Sequence, residues 1–239
     1  GLPEAVAGAD RLDLVMLPGV EVTTFRGHTV VLGIWRVPEW RDLETRGMDA
    51  LAADVHADGG VVCVSHPTAL GSPVCSGCTW SWPVQPASVD LWEVFSAPRP
   101  NVDVSLAVWK QRLKAGGYVG PIAAGDVHSV AAAARHKTAT YVYARDRSQP
   151  GVLEALRERR IFASAGPRLD LWLQNLDGGV ALAGSRVGPG DWTPHLSEPG
   201  VVREVQLADG KTRCVYAERY DPQGRLEAVS APIWISTTH

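Results

Sequence analysis

The pattern of apolar and polar residues predicts strands and helices in alternation over the first two thirds of the chain. Two apolar runs, 14–17 and 29–34, stand on either side of a Pro-Gly break and predict a strand, a kink and a return strand. Further periodicity predicts, in order, a helix at 41–57, strands at 61–65 and 89–95, a helix at 102–115, strands at 118–124 and 138–144, and a helix at 149–159. This alternation indicates βα units around a mostly parallel sheet or barrel.

The pattern changes after Gly166-Pro167. Short alternating runs at 169–174, 201–207, 213–219 and 232–235 are separated by Gly, Pro, Asn and Asp, and no helix-length period is left. This tail predicts a small antiparallel β unit of the sandwich kind, without metal ligands. The sequence therefore predicts an α/β domain at 1–167 and a β domain at 168–239.

Composition and charge exclude several classes of partner. Of 239 residues, 45% are hydrophobic and 21% are charged, and a net charge of −3 gives no reason to expect a nucleic-acid or membrane partner. No apolar run approaches the roughly 18 residues of a membrane span, and no signal-peptide pattern is visible. The four cysteines do not suggest a disulfide framework. These features predict a cytoplasmic protein.

Three predicted strands end in motifs that carry metal-binding side chains. Glu21 and His28 stand between the first two apolar runs, His66 follows the next strand, and Asp126 and His128 follow a later one. Strand ends of one α/β domain lie together, so these side chains can converge on an ion. Imidazole with carboxylate suits Zn, Mn or Fe better than Ca or Mg. Taken singly, each motif also fits a solvated turn carboxylate with a nearby surface histidine.

The ordered set G-V-E, G-H, S-H-P and G-D-V-H resembles the later metal motifs of the PHP (polymerase and histidinol phosphatase) superfamily. The run E-V-T-T before G-H, the loop C-S-G-C-T-W and the S-A-G-P before the tail narrow the resemblance to the branch named after carbaryl hydrolase. The resemblance covers nearly the whole chain. It implies a distorted, TIM-barrel-like (β/α)7 barrel with a trinuclear metal centre and a phosphoesterase activity. The closer branch implies hydrolysis of a carbamate or carboxylic ester.

Residue by residue, the resemblance implies that Glu21, His28, His66, Asp126 and His128 are metal ligands, with Glu21, His66 and Asp126 at the reacting centre. The His-x-His and Asp-His motifs that open the family pattern do not precede Glu21. In that pattern Glu21, His28 and His66 share one ion, whereas Asp126 and His128 need partners from the missing motifs. We therefore expect one complete site, in a piece of a longer protein or in a protein that has lost full activity. A barrel without its first strands exposes sheet edges, and a second copy of the chain can pair with such an edge to form a homo-oligomer.

Other side chains are weaker candidates for the site. Cys75 and Cys78 form a C-x-x-C pair that fits a zinc half-site, a redox pair or an ordered loop with or without a disulfide, and we favour the loop. Arg99, Arg135 and Trp80 are candidate substrate-binding residues, because arginine pairs with phosphate and a loop tryptophan can line a pocket. Solvated loop charge explains the two arginines equally well. The histidines outside these motifs are interpreted as surface residues: His56, His195 and His239.

The leading functional hypothesis is a metal-dependent hydrolase that cleaves a phosphoester with a metal-activated water. A carbamate or carboxylic ester hydrolase is the alternative within the same class. An anion-binding cation in the cleft favours phosphate, and an aromatic, uncharged cleft favours the carbamate. A third hypothesis is a catalytically inactive barrel remnant that binds a ligand or partner through the loop of Trp80 and Trp82.

Overall fold

The computed structural model describes residues 13–71, 73–96, 102–134 and 137–237. Strands account for 35% of the chain and helices for 18%, and the described strands form three sheets. In the part of the chain that the structure describes, no helix combines the length and the apolar character needed to cross a membrane.

The first sheet has five strands in chain order: β1 (Gly19–Thr24), β2 (Gly27–Leu32), β3 (Val61–Ser65), β4 (Leu91–Ser96) and β5 (Gly120–Ala124). The neighbours β1, β2 and β3 are antiparallel, whereas β3, β4 and β5 run parallel. β3 is buried along its whole length, as a β-branched strand covered on both faces should be. A two-residue turn joins β1 to β2, and Gly27 follows it at φ 137°, a conformation that favours glycine.

The helices of the described residues are α1 (Leu43–Arg46), α2 (Met48–Ala57), α3 (Val102–Lys114), α4 (Val130–Ala133) and α5 (Gln149–Arg157). α2 buries Met48, Leu51 and Val55, which share a face because an α-helix has 3.6 residues per turn. α5 begins after Ser148, whose Oγ accepts a hydrogen bond from the Gly151 amide at 3.1 Å. The single helix that the sequence predicts at 41–57 is two helices in the structure, α1 and α2, and Gly47 lies between them.

The second sheet has seven strands, and several of them contribute to the same buried cluster as the first sheet. Its order is β10-β15-β13-β14-β7-β6, and β12 adds to the other edge of β13. The third sheet has the order β11-β8-β9. The bounds of these strands are β6 (Ala139–Val142), β7 (Ile161–Ser164), β8 (Leu171–Asn175), β9 (Val180–Leu182), β10 (Arg186–Val187), β11 (Trp192–Leu196), β12 (Val201–Gln206), β13 (Thr212–Tyr220), β14 (Leu226–Ser230) and β15 (Ile233–Ser236).

The predicted TIM-barrel-like (β/α)7 fold is wrong. The chain has about twice as much strand as helix, and parallel neighbours among the described strands are limited to β3–β4–β5 and the short β10–β15 pair. β6 and β7 do not continue the first sheet, because β7 pairs antiparallel with β14 and β6 pairs antiparallel with β7. The alternation of strand and helix periods locates the elements, but it carries no information about which sheet a strand joins.

The predicted kink around Glu21 is also wrong. Residues 19–24 form β1, and the hairpin register pairs Glu21 with Val30 and Thr23 with His28. The alternating Val20, Glu21 and Val22 explain the strand, because Val22 is buried while Glu21 faces the other side. Glu21 is therefore held on a sheet rather than in a turn.

The core crosses the predicted domain boundary at residue 167. Trp109 of α3 packs edge-on against Tyr216 of β13, with ring centroids 5.0 Å apart. Trp92 of β4 belongs to the same buried cluster as Trp234 of β15. The strands predicted beyond residue 168 are present, and they share a sheet with β6 and β7. The division into two domains stays a prediction.

Candidate metal centre

Glu21, His28 and His66 come together at one end of the first sheet. Glu21 lies in β1, His28 is the second residue of β2, and His66 directly follows β3. The registers place His28 opposite both Thr23 of β1 and Ser65 of β3. Three neighbouring strands therefore supply one carboxylate and two imidazoles to the same point, as the sequence motifs predict.

One oxygen atom is the focus of this cluster. Glu21 Oε1 lies 3.1 Å from His28 Nδ1 and 3.6 Å from His66 Nε2, and the two imidazole centroids are 4.9 Å apart. One ligand atom from each residue lies within 4.8 Å of the others. Ligand atoms about 2.1 Å from a zinc ion in a tetrahedral site lie roughly 3.4 Å apart. The spacing of these side chains therefore fits a single ion.

The hydrogen bonds of His28 add a second argument for a cation. His28 Nε2 donates to the carbonyl oxygen of Ser76 at 3.2 Å, while Nδ1 faces the carboxylate of Glu21. A neutral imidazole that donates through Nε2 presents a lone pair at Nδ1. The lone pair and the carboxylate repel each other unless a positive charge lies between them, and a proton or a metal ion supplies that charge. A metal-bound histidine almost always donates a hydrogen bond from its other ring nitrogen to an outer partner, such as a backbone carbonyl oxygen.

The charge state of Glu21 suits a ligand. Its contact with His66 is the largest influence and lowers the pKa of Glu21, while partial burial acts in the opposite direction. The hydrogen bond with His28 also lowers the pKa of Glu21. Glu21 is therefore a carboxylate anion at neutral pH, with its side chain 42% exposed and open to an incoming water.

A buried carboxylate, Glu93 of β4, holds the backbone of His66. The His66 amide donates to Glu93 Oε2 at 2.9 Å, and His66 has φ 29°, a conformation rarely adopted by a residue with a side chain. Burial is the largest cause that raises the pKa of Glu93, and the charge of Asp126 adds to it. The sequence offers one signal for this role, a glutamate inside the apolar run 89–95, but nothing in that run identifies its partner.

Asp126 and His128 do not join the cluster of Glu21. Both follow β5, where His128 Nδ1 donates to the carbonyl oxygen of Asp126 at 2.7 Å. The His128 side chain is 83% exposed. Among the described residues, neither belongs to a group of metal-binding side chains with converging ligand atoms. Their role as ligands of further ions stays a prediction.

The candidate substrate residues have different outcomes. Arg99 and Arg135 lie outside the described residues. Trp80 is partly buried and packs edge-on against Trp92, with centroids 6.0 Å apart, so it contributes to the core. Trp82 is buried, and its Nε1 donates to Thr24 Oγ1 at 2.9 Å.

A cavity of about 350 Å³ lies beside the candidate metal centre. Its aromatic walls are Phe25, Trp40 and Trp82, and its lining includes Ser76, whose carbonyl oxygen binds His28. The arginine in the wall, Arg41, is held by two hydrogen bonds of 3.0 Å to Glu39. Arg26 is stacked 4.5 Å over Trp82 at the same side of the hairpin and is paired with Glu44 at 3.6 Å. The sequence does not predict this cavity, because its walls come from three separate segments.

A disulfide joins Cys75 to Cys78, and one atom of each cysteine lies within 4.8 Å of a ring nitrogen of His28. The loop that contains it is pressed against the β1–β2 turn, since a Cβ on Gly77 would lie 2.0 Å from the carbonyl oxygen of Thr24. Cys75 and Cys78 therefore belong to an ordered loop that contains a disulfide, which is the interpretation favoured from the sequence.

A search with protein-family models gives no match to this chain, and a search of curated proteins gives none either. The resemblance to the PHP superfamily therefore stays a prediction from the motifs. The functional argument depends on the geometry of the site.

Proposed function

We propose that this protein is a metal-dependent hydrolase whose ion is held by Glu21, His28 and His66. The supporting observation is the convergence of two imidazole nitrogens on one carboxylate oxygen, at 3.1 and 3.6 Å. Two histidines and one carboxylate are a ligand set of catalytic zinc sites, where the fourth position is left for water or substrate.

A divalent ion bound here would lower the pKa of a bound water and polarise the bond to be cleaved. Residues of the chain would hold the ion and its ligands in place for this reaction. Ionised Glu21 supplies the negative charge that offsets the ion, the Ser76 carbonyl orients the ring of His28, and Glu93 fixes the backbone of His66. The proposal needs one ion, so Asp126 and His128 are not required for it.

The reaction class has two candidates. A phosphoester is the substrate that the PHP resemblance implies, and it stays the first candidate. A carbamate or carboxylic ester with an aromatic group is the second, and the cavity beside the site favours it. Its walls are aromatic, and Arg41, the arginine in the wall, is already paired with a carboxylate. A small-molecule substrate and a cytoplasmic location belong to the same proposal.

Metal content tests the ligand set. The purified chain loaded with Zn²⁺ or Mn²⁺ and dialysed should keep one ion, and His66→Ala should lose it because two remaining ligands rarely retain a metal. His128→Ala is the matched control and should keep the ion, since the exposed His128 lies outside the cluster. Loss of the ion in His128→Ala with retention in His66→Ala would mean that the assignment is wrong.

Because His66 is buried, Glu21→Gln provides a second variant at a half-exposed position. It should fold as the wild type does, by circular dichroism, and bind the ion at least about ten-fold more weakly.

Activity tests the reaction class. Aryl phosphates and aryl carbamates or carboxylic esters should be offered to the metal-loaded protein, with Glu21→Gln as the negative control. Hydrolysis that is lost in Glu21→Gln supports the hydrolase, and the preferred series identifies the ester. An ion bound at Glu21 without hydrolysis of any series would support a non-catalytic binding protein instead.

A further inference from the structure

We propose that Cys75, Cys78 and His28 form a second metal site, specific for soft ions such as Zn²⁺ or Cd²⁺, that exists only when the Cys75–Cys78 disulfide is reduced. This site goes beyond the proposed hydrolase centre and does not depend on it. The two sites share His28, and this sharing would make the first site sensitive to the redox state of the loop.

The ligand atoms are already close together. One atom each from His28, Cys75 and Cys78 lie within 4.8 Å of one another, and the two cysteine Cα atoms are 5.5 Å apart. Two cysteines separated by two residues are a common half of a zinc site, and Zn²⁺ binds both thiolate and imidazole. Cys78 and His28 are buried, and Cys75 is partly buried, so the ion would be largely shielded from water.

Contacts other than the disulfide hold the loop in place. Ser76, between the two cysteines, accepts a hydrogen bond from His28, and Thr79 Oγ1 donates to the carbonyl oxygen of Ala69 at 2.8 Å. The Trp80 amide donates to the carbonyl oxygen of Pro67 at 3.0 Å. Opening of the S–S bond therefore leaves both sulfur atoms beside His28.

The chemistry balances with a cellular dithiol as the reductant. Thiol–disulfide exchange transfers two electrons to the Cys75–Cys78 bond, giving two thiols and the disulfide of the reductant. Binding of a divalent ion then releases two protons, because thiolates are the ligands. Two thiolates and a neutral imidazole cancel the charge of the ion, which suits a buried position. The fourth position is left for water or another ligand.

The shared histidine couples the two sites. In the oxidised chain Nδ1 of His28 faces Glu21, and Nε2 faces the cysteine loop through Ser76. A neutral imidazole has a single lone pair, so it can bind an ion at one site at a time. A soft ion on the reduced loop therefore withdraws His28 from Glu21 and His66.

Cadmium titration of the full chain tests the proposal, because cadmium thiolates have an ultraviolet sulfur-to-metal charge-transfer band. The reductant should be a phosphine, which brings no thiol of its own. The reduced wild type should give a band that saturates at one Cd²⁺ per chain, and the oxidised wild type should give none. A band of equal size in the oxidised chain would overturn the proposal.

Variants identify the ligands. Cys75→Ser and Cys78→Ser should each lose the saturable band after reduction. The matched controls Cys63→Ala and Cys214→Ala should keep it, because both thiols are buried and free, and burial raises the pKa of Cys214 to about 12. His28→Ala should weaken Cd²⁺ binding at least ten-fold, and an unchanged affinity in this variant would reduce the site to two thiolates and overturn it.

Glu21→Gln separates this proposal from the proposed hydrolase. It removes a ligand of the first site and leaves all three ligands of the second, so the reduced variant should keep the cadmium band. Failure of the hydrolase proposal leaves that result unchanged. Loss of the band in Glu21→Gln would overturn the second site alone.

Discussion

Asp90 is a polar side chain that joins three separate segments of the described structure. It is buried, and it accepts hydrogen bonds from His56 Nε2 and the Val62 amide at 2.8 Å and from Arg159 Nη2 at 2.7 Å. These donors belong to α2, to β3 and to the segment before β7. His56, interpreted from the sequence as a surface residue, is exposed as expected, and its imidazole also contacts the buried Asp90. A buried carboxylate with three donors keeps its hydrogen-bonding capacity satisfied.

The pair of His56 and Asp90 predicts a pH-dependent stability. The hydrogen bond to Asp90 raises the pKa of His56 above its ordinary 6.5. Protonated His56 therefore stabilises the fold fully below about pH 6.5, and this contribution is lost as the pH rises through the folded-state pKa. We expect the stability difference between wild type and His56→Gln, measured by urea unfolding, to be largest below pH 6.5 and to shrink above it.

The double variant with Asp90→Asn provides the control for this prediction. Without the carboxylate that raises the pKa, His56→Gln should have an effect that changes little with pH. A wild-type advantage that grows with rising pH would contradict the assigned direction of the shift.

At the residue scale, the sequence identifies the candidate ligands more readily than the groups that hold those residues in place. Glu21, His28 and His66 are recognisable because each stands in a short motif beside an apolar run. The supporting groups are a backbone carbonyl, that of Ser76, and a carboxylate inside a buried strand, Glu93. A carbonyl has no signature in sequence, and the partner of a buried carboxylate is set by tertiary packing.

The loop of Cys75 to Cys78 and the β1–β2 hairpin behave as one element. The loop backbone packs on the carbonyl of Thr24, and the Ser81 amide donates to the carbonyl oxygen of Arg26 at 2.7 Å. Gly77 has φ 75° and has no room for a Cβ. The sequence does not predict this contact, because the two segments are about fifty positions apart and only the fold brings them together.

Alanine substitution at two glycines measures how much the packing of the loop on the hairpin contributes to the free energy of unfolding. Gly224 has φ 78°, almost the same as Gly77, but nothing lies within 4 Å of the place of its Cβ. Gly224→Ala should cost about 1 kcal/mol from backbone conformation alone. Gly77→Ala adds a clash with a backbone oxygen and should cost at least about 2 kcal/mol, from overpacking, in urea unfolding of the oxidised protein. Equal costs at the two positions would show that the loop is free to move off the hairpin.

Most element positions could be predicted at the scale of helices and strands, but their pairing could not. β3, α3 and α5 lie where the periodicity places them. β9, β10, β11 and β14 have no counterpart among the predicted runs; β9 and β10 are three and two residues long, and β11 contains Pro194. Pairing depends on contacts between distant residues, which a local period does not contain.

At the scale of the whole molecule, the second sheet joins the strands of residues 139–164 to strands that follow residue 167. β7 and β6 precede residue 167, yet β7 obtains its second neighbour from β14. The buried cluster of Trp92 and Trp109 is completed by Tyr216 and Trp234.

This arrangement predicts that residues 1–167 do not fold alone. The isolated fragment leaves β7 without β14 and exposes a large part of its aromatic core, so it should show no cooperative unfolding transition by circular dichroism. Addition of the fragment 168–239 should restore one. A cooperative transition of 1–167 alone, at the temperature of the full chain, would instead support two independent domains.

The pairing of β7 with β14 also has a consequence for synthesis on the ribosome. Ser164 of β7 donates to the carbonyl oxygen of Glu227, 63 positions later in the chain. At a synthesis rate of about 5 to 20 residues per second, roughly 3 to 13 s pass between the synthesis of Ser164 and that of Glu227. During that interval the nascent chain presents an open strand edge and unburied tryptophans, which are the features that chaperones bind. Limited proteolysis of ribosome-stalled chains should find β7 cleavable until β14 has emerged from the exit tunnel.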